Sequence, residues 1–363
     1  MTIKRVRWDT GQLISLEYDS KILKRNPLGD PHVRILDVWL PPEYDTSRRK
    51  LPVLYDLVGY TGSGPSHTNW RNFDDNVPER AARLMHAGKM GPCIIVFPDC
   101  FTALGGNQYI NSSAMGHYAD YLTRELIPFV DSEFRTHAAR DHRGCFGKSS
   151  GGYGAIIHGM KYAKYWGAIA DHSGDAYFDF VYRCDWPGAL DTLARHRRRK
   201  RNPGPVNIAQ EARQTGAGTD DGRVRRFLKH IWQKPNPSGA EIECLMMLAM
   251  AASYDPAPGV PNGFYLPFDL ETGELITVRW KKWLAHDPIN LVKRYAENLK
   301  TLRGIFIDCG WRDQYRIHYG SRILSRLLRD HGIEHRYEEF DGTHSGVDYR
   351  MDVSLPFLYK ALS

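Results

Sequence analysis

The sequence predicts an α/β protein: a mostly parallel central sheet with helices on both faces, carrying a large, mainly helical insertion. Three observations predict it. Short apolar runs of strand length alternate with longer amphipathic runs of helix length, early in the chain and again at its end. A glycine-bracketed serine, Gly147-Lys148-Ser149-Ser150-Gly151, stands between one such apolar run and a helix-like run. Between them, the stretch 182–283 breaks the alternation with a different composition.

The elements follow in order. Residues 12–18 and 33–40 read as early strands, the second stopped by Pro41-Pro42. Residues 51–58 form an apolar strand that opens into the glycine-rich loop 59–64. A helix over 74–87, a strand over 93–97 and a helix over 118–130 follow, the last with Leu122, Leu126, Ile127 and Val130 on one face. Residues 143–146 then give a buried strand, 153–160 a helix of small and apolar residues, and 167–170 another strand. After the insertion the alternation resumes with a strand at 302–307, a helix at 317–331, a strand at 335–340 and a last helix at 347–362. The division is therefore a sheet-bearing unit, 1–181 and 284–363, and a cap or lid insertion, 182–283. Within the insertion, Ile242 to Met250 is apolar almost all round, which predicts burial. Core packing of the insertion explains it; a methionine-rich lid over a ligand pocket is compatible with the same pattern.

With 363 residues, 42% hydrophobic and 25% charged, the chain has an ordinary globular composition. The first thirty residues carry recurrent charges and no apolar run of signal-peptide length, so a cytoplasmic, non-membrane protein is expected. Six scattered cysteines form no C-x-x-C pair and predict buried free thiols, with no metal site. Of the net charge of +7, residues 191–236 hold twelve Lys/Arg against four Asp/Glu, a local +8 that leaves the rest near −1. No aromatic residue is interleaved with the basic run 195–201, and no nucleic-acid motif accompanies it. It reads as a solvated loop, with neither nucleic acid nor membrane as a partner; a homo-oligomer is left open.

Ser149 sits where a strand-to-helix turn of the form G-x-S-x-G would expose a nucleophile above a sheet. Gly147-Lys148-Ser149 also ends like a phosphate-binding loop, but that loop requires glycine at 142, which is histidine. A serine hydroxyl needs a base to take its proton and a carboxylate to orient that base. His344 lies in a small-residue loop, Asp341 to Gly346, between the last strand and the last helix, where catalytic residues of open α/β sheets collect. For the acid, Asp313 in the loop after the 302–307 strand is preferred over Asp308 at the strand end, which is expected to cap the loop through its backbone. Asp175 ranks third. An oxyanion needs backbone N–H donors, for which Ser150 and Tyr60 are expected, with the Tyr60 side chain near the substrate.

These residues, with Asn26-Pro27-Leu28-Gly29-Asp30-Pro31, Leu40-Pro41-Pro42-Glu43-Tyr44, Tyr109-Ile110-Asn111-Ser112, Glu125-Leu126-Ile127-Pro128, Asp308-Cys309-Gly310 and Gly342-Thr343-His344, resemble the esterase D / enterochelin-esterase-like group. That group also contains S-formylglutathione hydrolases, feruloyl esterases and mycolyltransferases. The resemblance spans about 1–181 and 284–363. It implies an α/β-hydrolase fold, ester hydrolysis without metal or cofactor, a Ser149–Asp313–His344 triad and oxyanion donors at Tyr60 and Ser150. It implies an aromatic near the pocket at Trp70, and Trp311 is taken with it as substrate-binding. The long insertion departs from compact members, and Lys148 differs from the histidine usual in S-formylglutathione hydrolases.

The expected function is a serine carboxylesterase acting on a small-molecule or polymer ester. An acyltransferase using the same acyl-enzyme, or a non-catalytic binding protein on this fold, are the alternatives. The natural ester is not legible in the sequence.

Overall fold

The computed structural model describes residues 8–198 and 220–363. The strands of the main sheet are β1 (Gln12–Asp19), β2 (Val33–Leu40), β3 (Val53–Leu57), β4 (Ile94–Pro98), β5 (Arg143–Lys148), β6 (Ala168–His172), β7 (Gly304–Gly310) and β8 (Arg336–Phe340). The described residues arrange them in one eight-stranded sheet, ordered β1-β2-β4-β3-β5-β6-β7-β8. β1 and β2 pair antiparallel at the edge, and β3 to β8 run parallel.

The principal helices are α1 (Val77–His86), α2 (Ser150–Lys161), α3 (Trp186–Ala194), α4 (Arg223–Ile231), α5 (Gly239–Tyr254), α6 (Thr277–Leu284), α7 (Pro288–Lys300), α8 (Ile317–Asp330) and α9 (Met351–Leu362). Alternate strand residues point to opposite faces, and the core divides accordingly. Leu54, Ile95, Phe97, Phe146 and Phe306 pack under α1 and α9 with Leu84, Leu355 and Leu358. Val53, Tyr55, Val96, Cys145 and Ile169 pack on the other face with Ile156, Ile157 and Met160 of α2. That second cluster continues into the insertion through Trp186, Phe227, Leu248, Trp280 and Trp283. The insertion therefore shares its apolar core with the sheet's covering helices.

The helix expected at 118–130 is interrupted. Tyr118–Asp120 and Ile127–Glu133 flank a π-helical segment, Tyr121–Leu126. Pro128 lacks the N–H that would bond four residues back, and its ring crowds the carbonyl there, so the chain widens before it. α7 was not expected from the sequence, although its signal is present. Asp287 accepts from Ile289 N–H at 3.3 Å with Pro288 at the first helical position, a standard helix start. α5 opens on a capping box, Ser238 with Glu241, and buries residues on every side. Of the six cysteines, all free, only Cys184 is exposed. Of the basic run, 199–201 lie outside the described residues, as do 214–219 of the Gly/Thr-rich stretch. No helix among the described residues is long and apolar enough to cross a membrane.

Candidate active site

The glycines around Ser149 are required by the backbone of β3. A Cβ on Gly147 would lie 2.1 Å from the Leu57 carbonyl oxygen, and one on Gly151 would lie 1.7 Å from the same atom. The turn between β5 and α2 is thus closed so tightly on β3 that neither position tolerates a side chain. Between them, Ser149 is held at φ 59°, ψ −123°, a region that ordinary residues avoid. Its N–H donates to the His172 carbonyl at 2.9 Å and its carbonyl accepts from Tyr153 at 2.8 Å, so neighbouring elements fix the strained residue.

His344 lies in the loop after β8. Its Nδ1 is 2.7 Å from Asp313 Oδ2, and the Asp313 side chain is fully buried. Asp313 Oδ1 accepts from Tyr315 N–H at 2.9 Å, and the Tyr315 ring meets the imidazole edge-on at 4.8 Å. Gln314 Oε1 accepts the His344 N–H at 2.9 Å. The imidazole is thereby oriented by a carboxylate that is itself fixed.

Asp308 does not cap the loop, contrary to expectation. It points into the core, with Oδ1 2.6 Å from His172 Nδ1 and Oδ2 accepting from Arg350 Nε at 2.8 Å. His172 Nε2 lies 2.8 Å from Ser354 Oγ, so Ser354, His172 and Asp308 form a second serine–histidine–aspartate string. All three are buried, Ser354 completely, which leaves a substrate no access. β7 ends beyond Asp308, at Gly310, and this carries the buried residue away from the loop and leaves Asp313 in it.

Ser149 and His344 line one cavity of about 380 Å³. Gly59 and Tyr60 form part of its wall, as do Ile242, Glu243 and Met246 from α5. The N–H groups of Tyr60 and Ser150 donate to no protein carbonyl or side chain among the described residues. The Tyr60 side chain does not present its hydroxyl to the cavity. It runs beneath the loop at 104–106, and its OH donates to the Leu104 carbonyl at 2.7 Å. Trp70 and Trp311 are 50% and 49% exposed and stand outside the cavity wall, because each lies on a loop turned to solvent.

Charged groups line part of the cavity wall. Burial pulls the His67 imidazole down, but Asp56 Oδ2 at 2.7 Å outweighs it and the net shift is upward. Burial holds the Lys148 ammonium below its usual value against the pull of Asp348 and Asp313. Arg71 donates to Asp348 Oδ2 at 2.6 Å. Asp175 lines the same cavity, its carboxyl raised by burial against the opposing Tyr182 hydroxyl. No sequence signal marked Gln108 or Tyr182 as neighbours of the site, since segments far apart in the chain deliver them, whereas Ile242 and Met246 come from the apolar stretch whose pattern was compatible with a lid.

A sheet of this order, with a strained serine at the turn after β5 and a histidine in the loop after β8, defines an α/β-hydrolase. The profile of the Esterase family, described as "Putative esterase", matches residues 31–354, and the chain belongs to that family. Esterase Rv1288 of Mycobacterium tuberculosis is 36% identical over 147 residues, which are 39% of this chain and 29% of that relative's length. The chain therefore spans under a third of the curated relatives it matches. Among solved structures, a ferulic acid esterase superposes with a TM-score of 0.58 at 18% identity, covering 96% of this chain and 98% of that one. An S-formylglutathione hydrolase from Agrobacterium tumefaciens gives 0.54 at 15% identity, with both chains covered completely. At these identities the structural likeness concerns the fold.

Proposed function

We propose that this chain is a serine carboxylesterase with Ser149 as nucleophile, His344 as general base and Asp313 as the carboxylate that orients it. The observation that carries the reading is the strained Ser149 backbone opening on the same cavity as an imidazole tied to a buried aspartate at 2.7 Å. His344 Nε2 takes the Ser149 proton as Oγ attacks the ester carbonyl carbon. The carbonyl oxygen gains the negative charge and meets the unpartnered N–H groups of Ser150 and Tyr60. His344 then gives its proton to the departing alcohol oxygen. Water, deprotonated by the same imidazole, attacks the acyl-enzyme and releases the acid with Ser149 restored.

Membership of the Esterase family, and neighbours named for esters of ferulic acid and for S-formylglutathione, support an acyl-carbonyl substrate. The test is Ser149→Ala, which is expected to abolish both 4-nitrophenyl ester turnover and labelling by a fluorophosphonate probe. Retention of both overturns the assignment.

A further inference from the structure

Asp175 follows β6 and places a carboxylate in the cavity wall, besides Glu243 and Asp348 and distinct from the one that orients His344. It is 5% exposed. Its Oδ2 accepts from the Tyr182 hydroxyl at 2.7 Å and from Gln108 Nε2 at 3.4 Å. Its Oδ1 has no hydrogen-bond partner among the described residues, and it is not among the polar atoms sealed from solvent. The free oxygen therefore opens on the cavity. Its surroundings are fixed: Tyr182 OH also lies 3.2 Å from Tyr254 OH, and Gln108 Nε2 donates to Ser150 Oγ at 2.8 Å. Gln108 thus ties Asp175 to the residue whose N–H faces the reacting carbonyl. The Gln108 Oε1 is sealed without a partner, so the amide is committed to its donor side.

The donors elsewhere in the wall, Thr61, Ser66, His67, Arg71, Lys148 and His344 among them, make no hydrogen bond to that oxygen. Val58, Val181, Ile242, Met246 and Ile317 are apolar. A carboxylate oxygen in such a wall is desolvated when an apolar substrate enters, and it stays unpaired unless the substrate brings a hydrogen-bond donor. A hydroxyl suits both protonation states of the carboxyl, donating to one and accepting from the other. An alkyl group satisfies neither.

We infer that Asp175, held by Tyr182 and Gln108, is a polar subsite that selects esters bearing a hydroxyl group near the scissile bond. The inference rests on the esterase reading above. It makes Asp175 a specificity-determining residue, with no step of the acyl transfer passing through it.

The test compares kcat/KM within two matched pairs. On the acyl side the pair is 4-nitrophenyl 3-hydroxybutyrate against 4-nitrophenyl butyrate; on the alcohol side it is glycerol monobutyrate against propyl butyrate. The wild-type protein is expected to favour the hydroxylated member by about tenfold or more in one pair, the worth of one hydrogen bond to a charged group. Asp175→Leu is expected to erase that ratio, and Asp175→Asn, which keeps an acceptor of the same shape, to restore most of it. Fluorophosphonate labelling of Ser149 in both variants reports that the site is folded. A wild-type protein that hydrolyses all four esters without preference, or a preference that survives Asp175→Leu, overturns the subsite and leaves the esterase reading standing. A wild-type protein that hydrolyses none of them overturns both.

Discussion

Two aspartates compete for the role of the acid, and replacing each by asparagine separates them in opposite directions. Asp313→Asn removes the charge 2.7 Å from His344 Nδ1 and lets the amide present an N–H to that nitrogen, which favours the wrong tautomer. Two unit charges at that distance attract by about 6 kcal/mol at an effective dielectric of about 20. That is the stabilisation the imidazolium loses in the transition state, and it corresponds to a fall in kcat of roughly 10⁴. Folding should change little, since asparagine fits the same space. Asp308→Asn acts elsewhere. It removes one carboxylate from the largely buried Arg350 and from His172, leaving Arg350 only Glu338. Breaking such a buried pair costs about 3 kcal/mol or more, or a few degrees in Tm at about 1–2 °C per kcal/mol for a chain of this size. The assay is kcat on 4-nitrophenyl butyrate beside Tm by calorimetry for both variants. If Asp308→Asn loses activity as severely as Asp313→Asn while still folded at the assay temperature, the reasoning is refuted. It is equally refuted if Asp313→Asn stays within tenfold of wild type.

Two further outcomes follow from the packing. Gly151→Ala puts a methyl 1.7 Å from the Leu57 carbonyl oxygen and is expected to destabilise by about 4 kcal/mol or more. Gly188→Ala in α3 meets nothing within 4 Å and should be neutral or stabilising by up to about 1 kcal/mol; equal Tm values for the two would sink the argument. Asp287 is buried and pushed up to about 7 from 3.8, by burial against the N–H groups of Phe178 and Tyr177. Its folded pKa lies above its unfolded one, so the native state binds the extra proton and loses stability as pH rises from about 4 to about 7. Asn at 287 has no such loss, so the Tm of Asp287→Asn minus that of wild type should climb across this window. A flat or falling difference contradicts the sign.

Much of the sheet was legible because its inner strands, β3 to β7, are short, mostly apolar and buried runs whose bounds are set by glycine, proline or charge. The elements missed are those whose cause is not periodicity. α7 begins on an aspartate cap and a proline, and the π-helical segment answers to one proline downstream. Trp70 and Trp311 show the limit of composition. An aromatic in a loop looks like a pocket residue in sequence, yet these two face solvent while Tyr182, from the start of the insertion, borders the cavity. Asp308 shows the same limit at one residue's resolution. Had β7 stopped at Ile307, Asp308 would have been the loop residue.

What the sequence by itself determined is the local chemistry: a serine between glycines, a histidine in a small-residue loop, and the order in which they occur. These are legible because a tight turn imposes its requirements on the residues within it. Only the tertiary structure decided which aspartate meets His344, which N–H groups stand free, and that Asp175 opens on the cavity. Those depend on distances between segments that the chain separates by up to hundreds of residues. No local rule carries such distances; they are set by how the sheet and the insertion share one core.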